Sequence, residues 1–312
     1  MAATTLSNID FQDEAFLDFV AAQIPDKVEF LTSGILVQNN DSMITNQVGQ
    51  FANIPNYNKI DGDVERLTAA TDLTVNALTT YKDRGVWLEI GKAWGAEDWT
   101  RWVTGADPMG EIASQVTNYF SRQLQTIYLN HLTGIFGSAL SSSHSTGATY
   151  SGAKIDEDAV AGAKLKLGDN MSKLQRGILN SKVLQDAVNR KIANYDLAGD
   201  TFQSGNIASL MGMNVFADDG LTATASVYPS YFAAPGASFY SIREFNLDTD
   251  KDILKAGGTE YLRLRASVLI HTPGVQYNSS TVNPTNAQLA TSGNWTKVAE
   301  NKNIPIVQLK TL

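Results

Sequence analysis

The side chains best suited to chemistry are few and scattered. The chain has 312 residues with three histidines and no cysteine. Thiolate metal sites, disulfides and a Cys nucleophile are therefore excluded. His131, His144 and His271 stand far apart in sequence, whereas a zinc site needs several convergent N or S ligands. Packed or solvated histidines are the simpler reading, and no metal or cofactor is expected. The stretch Gly85-Val86-Trp87-Leu88-Glu89-Ile90-Gly91-Lys92-Ala93 approaches a phosphate loop. It fails because five residues separate the glycines and Ala93 stands where a hydroxyl must hold magnesium. No GxSxG elbow occurs. Asp218-Asp219, followed by Gly220, reads as a solvated turn rather than a paired-carboxylate site. Arg263 and Arg265 read as the polar face of a strand or a salt-bridged contact. Asn170, Asn278 and Asn294 fit the glycosylation triplet, which carries no meaning without a secretory route. An enzyme with an unrecognised site stays open as an alternative; it would show a ligand-filled pocket and a small oligomer.

Bulk composition points towards a building block. Hydrophobic residues make up 43% and charged residues only 18%, against about 25% charged in ordinary soluble domains. Interface cores are depleted in charge in this way. The net charge is −8, from 24 Lys plus Arg against 32 Asp plus Glu, so the basic excess of a phosphate-gripping protein is missing. The N-terminus lacks a basic region followed by an apolar run, and no stretch approaches ~20 consecutive apolar residues. No membrane partner is expected.

The elements that would position these residues follow from periodicity. Residues 11–31 combine Phe11, Phe16, Leu17, Phe19, Val20 and Phe30 with acids, which predicts a short amphipathic helix and then an extended arm; it is too small to bury its aromatics alone. Residues 50–92 read as a long hairpin, with Thr71–Tyr81 as one alternating limb. Asp107-Pro108 with Glu111 opens the clearest helix. Ile112, Val116, Tyr119, Phe120, Leu124, Ile127, Tyr128, Leu132, Ile135 and Phe136 recur along one face, and Gly134 and Gly137 mark the exit. At 1.5 Å per residue it is about 40 Å long.

Residues 138–152 read as a serine-rich linker and a domain boundary. Beyond it lie a helix near 157–167, a strand at Gly177-Ile178-Leu179 and a helix capped by Ser181 with apolar Leu184, Val188 and Ile192. A strand follows at Asn214-Val215-Phe216-Ala217. Helices alternating with short strands predict a compact α/β unit. Residues 260–272 alternate strictly, with Leu262, Leu264, Ala266, Val268 and Ile270 opposite Arg263, Arg265 and Ser267, as in a half-buried strand. The last thirty-odd residues read as polar and loop-like before Ile304-Pro305-Ile306-Val307.

Short signatures fall along the chain in a telling order: Ser33-Gly34-Ile35-Leu36, Gly49-Gln50-Phe51-Ala52-Asn53-Ile54-Pro55, Lys92-Ala93-Trp94-Gly95-Ala96-Glu97-Asp98, Gly105-Ala106-Asp107-Pro108-Met109 and Leu132-Thr133-Gly134-Ile135-Phe136. They continue with Leu179-Asn180-Ser181-Lys182-Val183, Met211-Gly212-Met213-Asn214-Val215, Asp218-Asp219-Gly220, Pro235-Gly236-Ala237, Thr249-Asp250-Lys251-Asp252 and His271-Thr272-Pro273-Gly274. Over roughly residues 28–278 this order resembles the Hong Kong 97 type of tailed-bacteriophage major capsid protein. Asn180 and Lys251 depart from the residues common in relatives.

The resemblance implies an α+β fold with an N-terminal arm (1–35), a peripheral-domain strand (36–54) and an E-loop hairpin (55–86). The peripheral domain (87–150) would carry a spine helix at 108–136, followed by an axial α/β domain (151–240) and return strands (241–278). Residues 279–312 match nothing in it. It implies a non-enzymatic coat protein that self-assembles as hexamers and pentamers into an icosahedral head, enclosing double-stranded DNA without sequence specificity. Its partners would be a scaffolding protein, a portal and possible decoration proteins, with assembly in the host bacterial cytoplasm and a final place in the virion. It places intersubunit contacts on Pro55, Lys59, Asp61, Arg66, Lys82 and Arg84, and the spine-helix face on Ile112, Val116, Phe120, Leu124 and Ile127. Some relatives cross-link a hairpin Lys to a neighbour's Asn; Lys59 and Lys82 are available, but nothing around them marks that chemistry. An encapsulin-like nanocompartment shell shares the fold and is the nearest alternative.

Overall fold

The computed structural model describes residues 28–312 apart from 59, 61, 68–72, 106, 148–153, 196–206 and 253–257. The helix expected within 11–31 therefore falls almost wholly outside the described residues. The first half contains α1 (Glu29–Thr32), β1 (Leu36–Gln38), α2 (Ser42–Thr45), β2 (Phe51–Tyr57), β3 (Thr80–Glu97), α3 (Asp98–Thr104) and α4 (Pro108–Gly137). The second half contains β4 (Ser145–Thr146), α5 (Glu157–Leu165), β5 (Arg176–Leu179), α6 (Ser181–Asn189), β6 (Ala193–Tyr195), β7 (Ile207–Leu210), β8 (Asn214–Ala217) and β9 (Tyr228–Ala233). It closes with β10 (Ser238–Asp252), β11 (Thr259–His271), β12 (Val275–Tyr277), α7 (Asn286–Leu289), β13 (Trp295–Lys297) and β14 (Ile306–Thr311).

Two five-stranded sheets organise these elements. The first runs β1-β10-β11-β3-β2, antiparallel except for β1 against β10. The second runs β4-β14-β9-β5-β8. Helix α4 buries its apolar face against the first sheet, in a core that joins Val116, Phe120, Leu124 and Ile127 to Leu262, Leu264, Ala266, Val268 and Ile270. That core continues into the second sheet through Ile178, Tyr231 and Ile306. A separate cluster covers the other side of the second sheet, where Val160 of α5 and Val183 of α6 meet Leu179, Phe232, Val307 and Leu309.

Several expectations are corrected by packing. Strand β11 alternates only in its first half. Ser267, Leu269 and His271 are buried too, and Trp87, Ala52 and Ile44 close over Leu269 on the opposite face. Among the described residues of the hairpin limb expected over Thr71–Tyr81, strand begins only at Thr80, and pairing with β2 ends at Tyr57↔Thr80. Helix α6 is capped by Asn180, whose side chain accepts from the Lys182 amide, and it buries Val183 and Ala187 rather than a face centred on Leu184. The serine-rich 138–144 is no free linker: Leu140 and His144 are fully buried, and Ser138 Oγ donates to the Ser292 carbonyl.

The C-terminal stretch is the largest departure. It crosses α4 and then inserts β14 between β4 and β9, in the interior of the second sheet. Gly134, expected at the helix exit, lies buried inside α4 where this stretch crosses. A Cβ there would stand 2.1 Å from the Leu289 carbonyl oxygen and 2.5 Å from Trp295 Nε1. Only glycine admits that approach.

Candidate assembly surfaces

The hairpin is anchored at its base by buried polar groups. Asp83, 1% exposed, places Oδ2 3.0 Å from His271 Nε2 and accepts from the Gly274 amide at 2.6 Å. Next to it, Arg84 donates to the Tyr277 carbonyl at 2.8 Å and the Ser279 carbonyl at 2.9 Å, with its guanidinium 4.7 Å from the Phe51 ring centre. Arg84, expected at an intersubunit contact, makes these bonds within its own chain. Gly85 lets the strand pass Leu269, whose Cδ1 would stand 2.7 Å from a Cβ.

Beyond the base the hairpin leaves the body. Pro55 and Lys82 face each other in the ladder and are exposed. That register suits proline, whose missing N–H is tolerated where β2 forms the edge of the sheet. Arg66 is exposed near the tip, and Lys59 and Asp61 lie outside the described residues. The described part of the tip carries Ile60, Val64, Leu67, Leu73, Val75 and Leu78, all exposed, with Val64 at 97% and Val75 at 94%. So many apolar side chains in water on one extended segment constitute an unsatisfied surface.

The spine-helix residues lie on one face. Val116, Phe120, Leu124 and Ile127 are buried and Ile112 is half-buried nearer the N-terminal end. Phe120 meets Phe245 edge-on at 5.1 Å and Tyr119 meets Trp94 at 5.2 Å. Polar ties fix the helix to both sheets. Gln125 donates to Asp218 Oδ2 at 2.7 Å, so Asp218 is a buried link rather than a solvated turn residue, and burial pushes its carboxyl pKa up. Tyr128 donates to Ser238 Oγ at 2.8 Å, Ser238 Oγ lies 2.8 Å from Thr272 Oγ1, and His131 Nε2 lies 3.0 Å from the same Thr272 oxygen. Burial, with the neighbouring His271, lowers the His131 pKa to about 3, so it is neutral.

The chemistry-bearing residues do not converge into a reacting site. His131 and His271 come together around Thr272, but His144 is held elsewhere by the Asn301 carbonyl at 2.9 Å. Among the described residues no group of three or more His, Asp or Glu is placed to hold a metal ion. The phosphate-loop look-alike runs inside β3, where a strand offers no cradle of amides. Arg263 and Arg265 pair with Asp248 at 2.7 Å and Glu244 at 3.0 Å across β10. Both pairs are solvent-exposed and contribute little. Sequence spacing could not have found Asp83–His271 or Gln125–Asp218, whose members lie on different elements far apart in the chain.

A long helix on a sheet, a second mixed sheet and a reaching apolar hairpin define a structural shell subunit of the Hong Kong 97 fold. The chain belongs to the Gp13-like family (Major capsid protein 13-like), which it matches over residues 33–305. It is 26% identical to the major capsid protein of Bacillus phage SPP1, over 99% of this chain and 98% of that one. Its fold is similar to that in the cyanophage Pam1 capsid asymmetric unit, with a TM-score of 0.61 at 13% identity over 88% of each chain. It is equally similar to the capsid of a native GTA particle, with a TM-score of 0.61 at 15% identity over 91% of this chain and 90% of that one. None of these three is a cellular nanocompartment. The protein is a major capsid protein of the tailed-phage kind: a structural component of the virion capsid, not an enzyme.

Proposed function

We propose that this subunit forms hexamers and pentamers of an icosahedral head around double-stranded DNA, and that its hairpin tip makes the contacts between copies. The first sheet with α4 acts as the peripheral domain, spanning 36–54, 87–150 and 241–278. The second sheet with α5 and α6 acts as the axial domain, built on 151–240 with β4 and β14 joining from outside that range. Residues 279–312 belong to both, since they cross α4 and end in β14. The supporting observation is the row of exposed apolar residues between 60 and 78, on a segment whose described residues contribute nothing to their own subunit's core. Pro55, Lys59, Asp61, Arg66 and Lys82 lie on or beside this segment and contact the neighbour. Arg84 supports the hairpin from below.

With a net charge of −8, the wall encloses DNA without gripping it. Scaffolding, portal and decoration proteins complete the head, which assembles in the host cytoplasm.

Replacing residues 58–79 with a short Gly-Ser turn tests this reading. The ladder from Tyr57↔Thr80 inward and the Asp83 and Arg84 bonds survive that change. Circular dichroism should therefore show native helix content and a cooperative melt, while electron microscopy shows no closed shells. Intact shells would refute the hairpin as the assembly arm, and an unfolded variant would place the segment in the core.

A further inference from the structure

A groove of about 710 Å³ runs along α4 on the side away from the first sheet. Phe136, Leu221 and Tyr231 form its floor, and Leu129 and Val227 its half-exposed walls. The polar residues that α4 contributes are turned inward chemically. Thr126 Oγ1 donates to the Arg122 carbonyl at 3.0 Å, Asn130 Nδ2 to the Thr126 carbonyl at 2.8 Å, and Thr133 Oγ1 to the Leu129 carbonyl at 2.9 Å. With these groups back-bonded to the preceding turn, the threonines present methyl groups to the groove. Among the described residues lining it, Lys310 alone carries charge.

We propose that the groove is the docking site for residues 10–20 of the same chain. The described chain begins at Val28, and two residues on Phe30 lies 5.0 Å from the Tyr128 ring centre and 6.2 Å from that of Tyr231, the groove floor. Burial and the Glu29 carboxylate raise the Asp218 pKa, and Asp218 stands beside Gly220 at the groove rim. The chain thus enters the fold at the groove's edge. Residues 21–28 span at most about 29 Å when extended, while the α4 wall from Thr126 to Gly137 is about 17 Å long. A segment of eleven residues in a helix covers the same length. Residues 10–20 supply apolar Phe16, Phe19 and Val20 at helical spacing, and four acids, Asp10, Asp13, Glu14 and Asp18, with no base. An acidic, aromatic strip complements a groove with an apolar floor and a lysine as its charge.

Photoreactive benzoylphenylalanine in place of Phe16, in the full chain, reads out the contact. Cross-linked peptides are mapped by mass spectrometry after assembly from equal amounts of ¹⁵N-labelled and unlabelled protein. The expected products join residue 16 to peptides containing 126–137 or 221–227, with both partners carrying the same isotope. Mixed-isotope pairs would show that the arm enters a neighbouring copy's groove, and cross-links to other regions, or none, would remove the site; each result overturns the proposal. As a control on exposed Thr133, Thr133→Glu should abolish the cross-link by repelling the acidic strip, whereas Thr133→Lys keeps it. An undiminished cross-link in Thr133→Glu with an unchanged melt would equally overturn it.

Discussion

His271 Nε2 and Asp83 Oδ2 lie 3.0 Å apart with both side chains shut off from solvent, joining the end of β11 to the base of the hairpin. A carboxylate in such a place is costly unless partnered. Here the Gly274 amide donates to Oδ2 at 2.6 Å, with the imidazole packed close beside the same oxygen. The hairpin therefore leaves the body from a rigid footing, although its tip is extended and apolar.

Asp83→Ala should destabilise the subunit by about 3 kcal/mol or more, because it strands the buried imidazole and the Gly274 amide together. Asp83→Asn keeps an acceptor for that amide and should lose less. Urea melts of the two variants beside the parent give the ranking. Equal stabilities for all three would show that the pair does not hold the hairpin base.

Gly134→Ala should cost about 3 kcal/mol or more, despite alanine's better helix propensity of about 1 kcal/mol. The added methyl meets the Leu289 carbonyl, which belongs to backbone and must move with α7 and Trp295. The Trp295 indole donates to that carbonyl at 2.7 Å, so tryptophan fluorescence should shift as the crossing opens. A variant as stable as the parent would mean that the C-terminal stretch does not seat here.

Stability should fall as pH drops below the ordinary histidine range. The His131 pKa is lowered to about 3 in the folded protein, first by burial and then by His271, while in the unfolded chain it sits near 6.5. Between those values the unfolded state binds a proton that the folded state refuses, so protonation favours unfolding. The contribution is neutral above about pH 6.5 and increasingly destabilising towards pH 3. His144, lowered mainly by burial, adds in the same direction. Thermal melts from pH 7.5 to 5 should show the decline, and His131→Gln, which can still bond Thr272, should flatten it. An unchanged slope in that variant would remove His131 from the account.

The elements legible in the residues were those with strong local signals. The apolar recurrence of α4, opened by Asp107-Pro108, marks a helix whatever surrounds it, and its bounds at Pro108–Gly137 agree with that reading to a residue at each end. The first half of β11 was legible for the same reason, since a half-buried strand writes its environment into its own alternation. The ordered signatures from Ser33 to Gly274 carried the family.

Long-range packing decided the rest. Leu269 breaks the alternation because β3 and α2 bring Trp87 and Ile44 over it, and Ser267 and His271 because Glu89 and Asp83 of β3 meet them, a cover contributed by residues far away in the chain. Asp218 looked like a solvated turn until Gln125, 93 positions earlier, bonded it in the core. Residues 279–312 are polar and short on periodicity because α7 and the turns around it make their contacts one residue at a time: Leu289 and Trp295 on α4, and Asn283 bridging Glu89 of β3. Such contacts leave no period to read. The strand that Ile306-Val307 opens becomes interior only when β9 pairs along it and β4 pairs with Gln308 and Leu309, each partner more than seventy residues away.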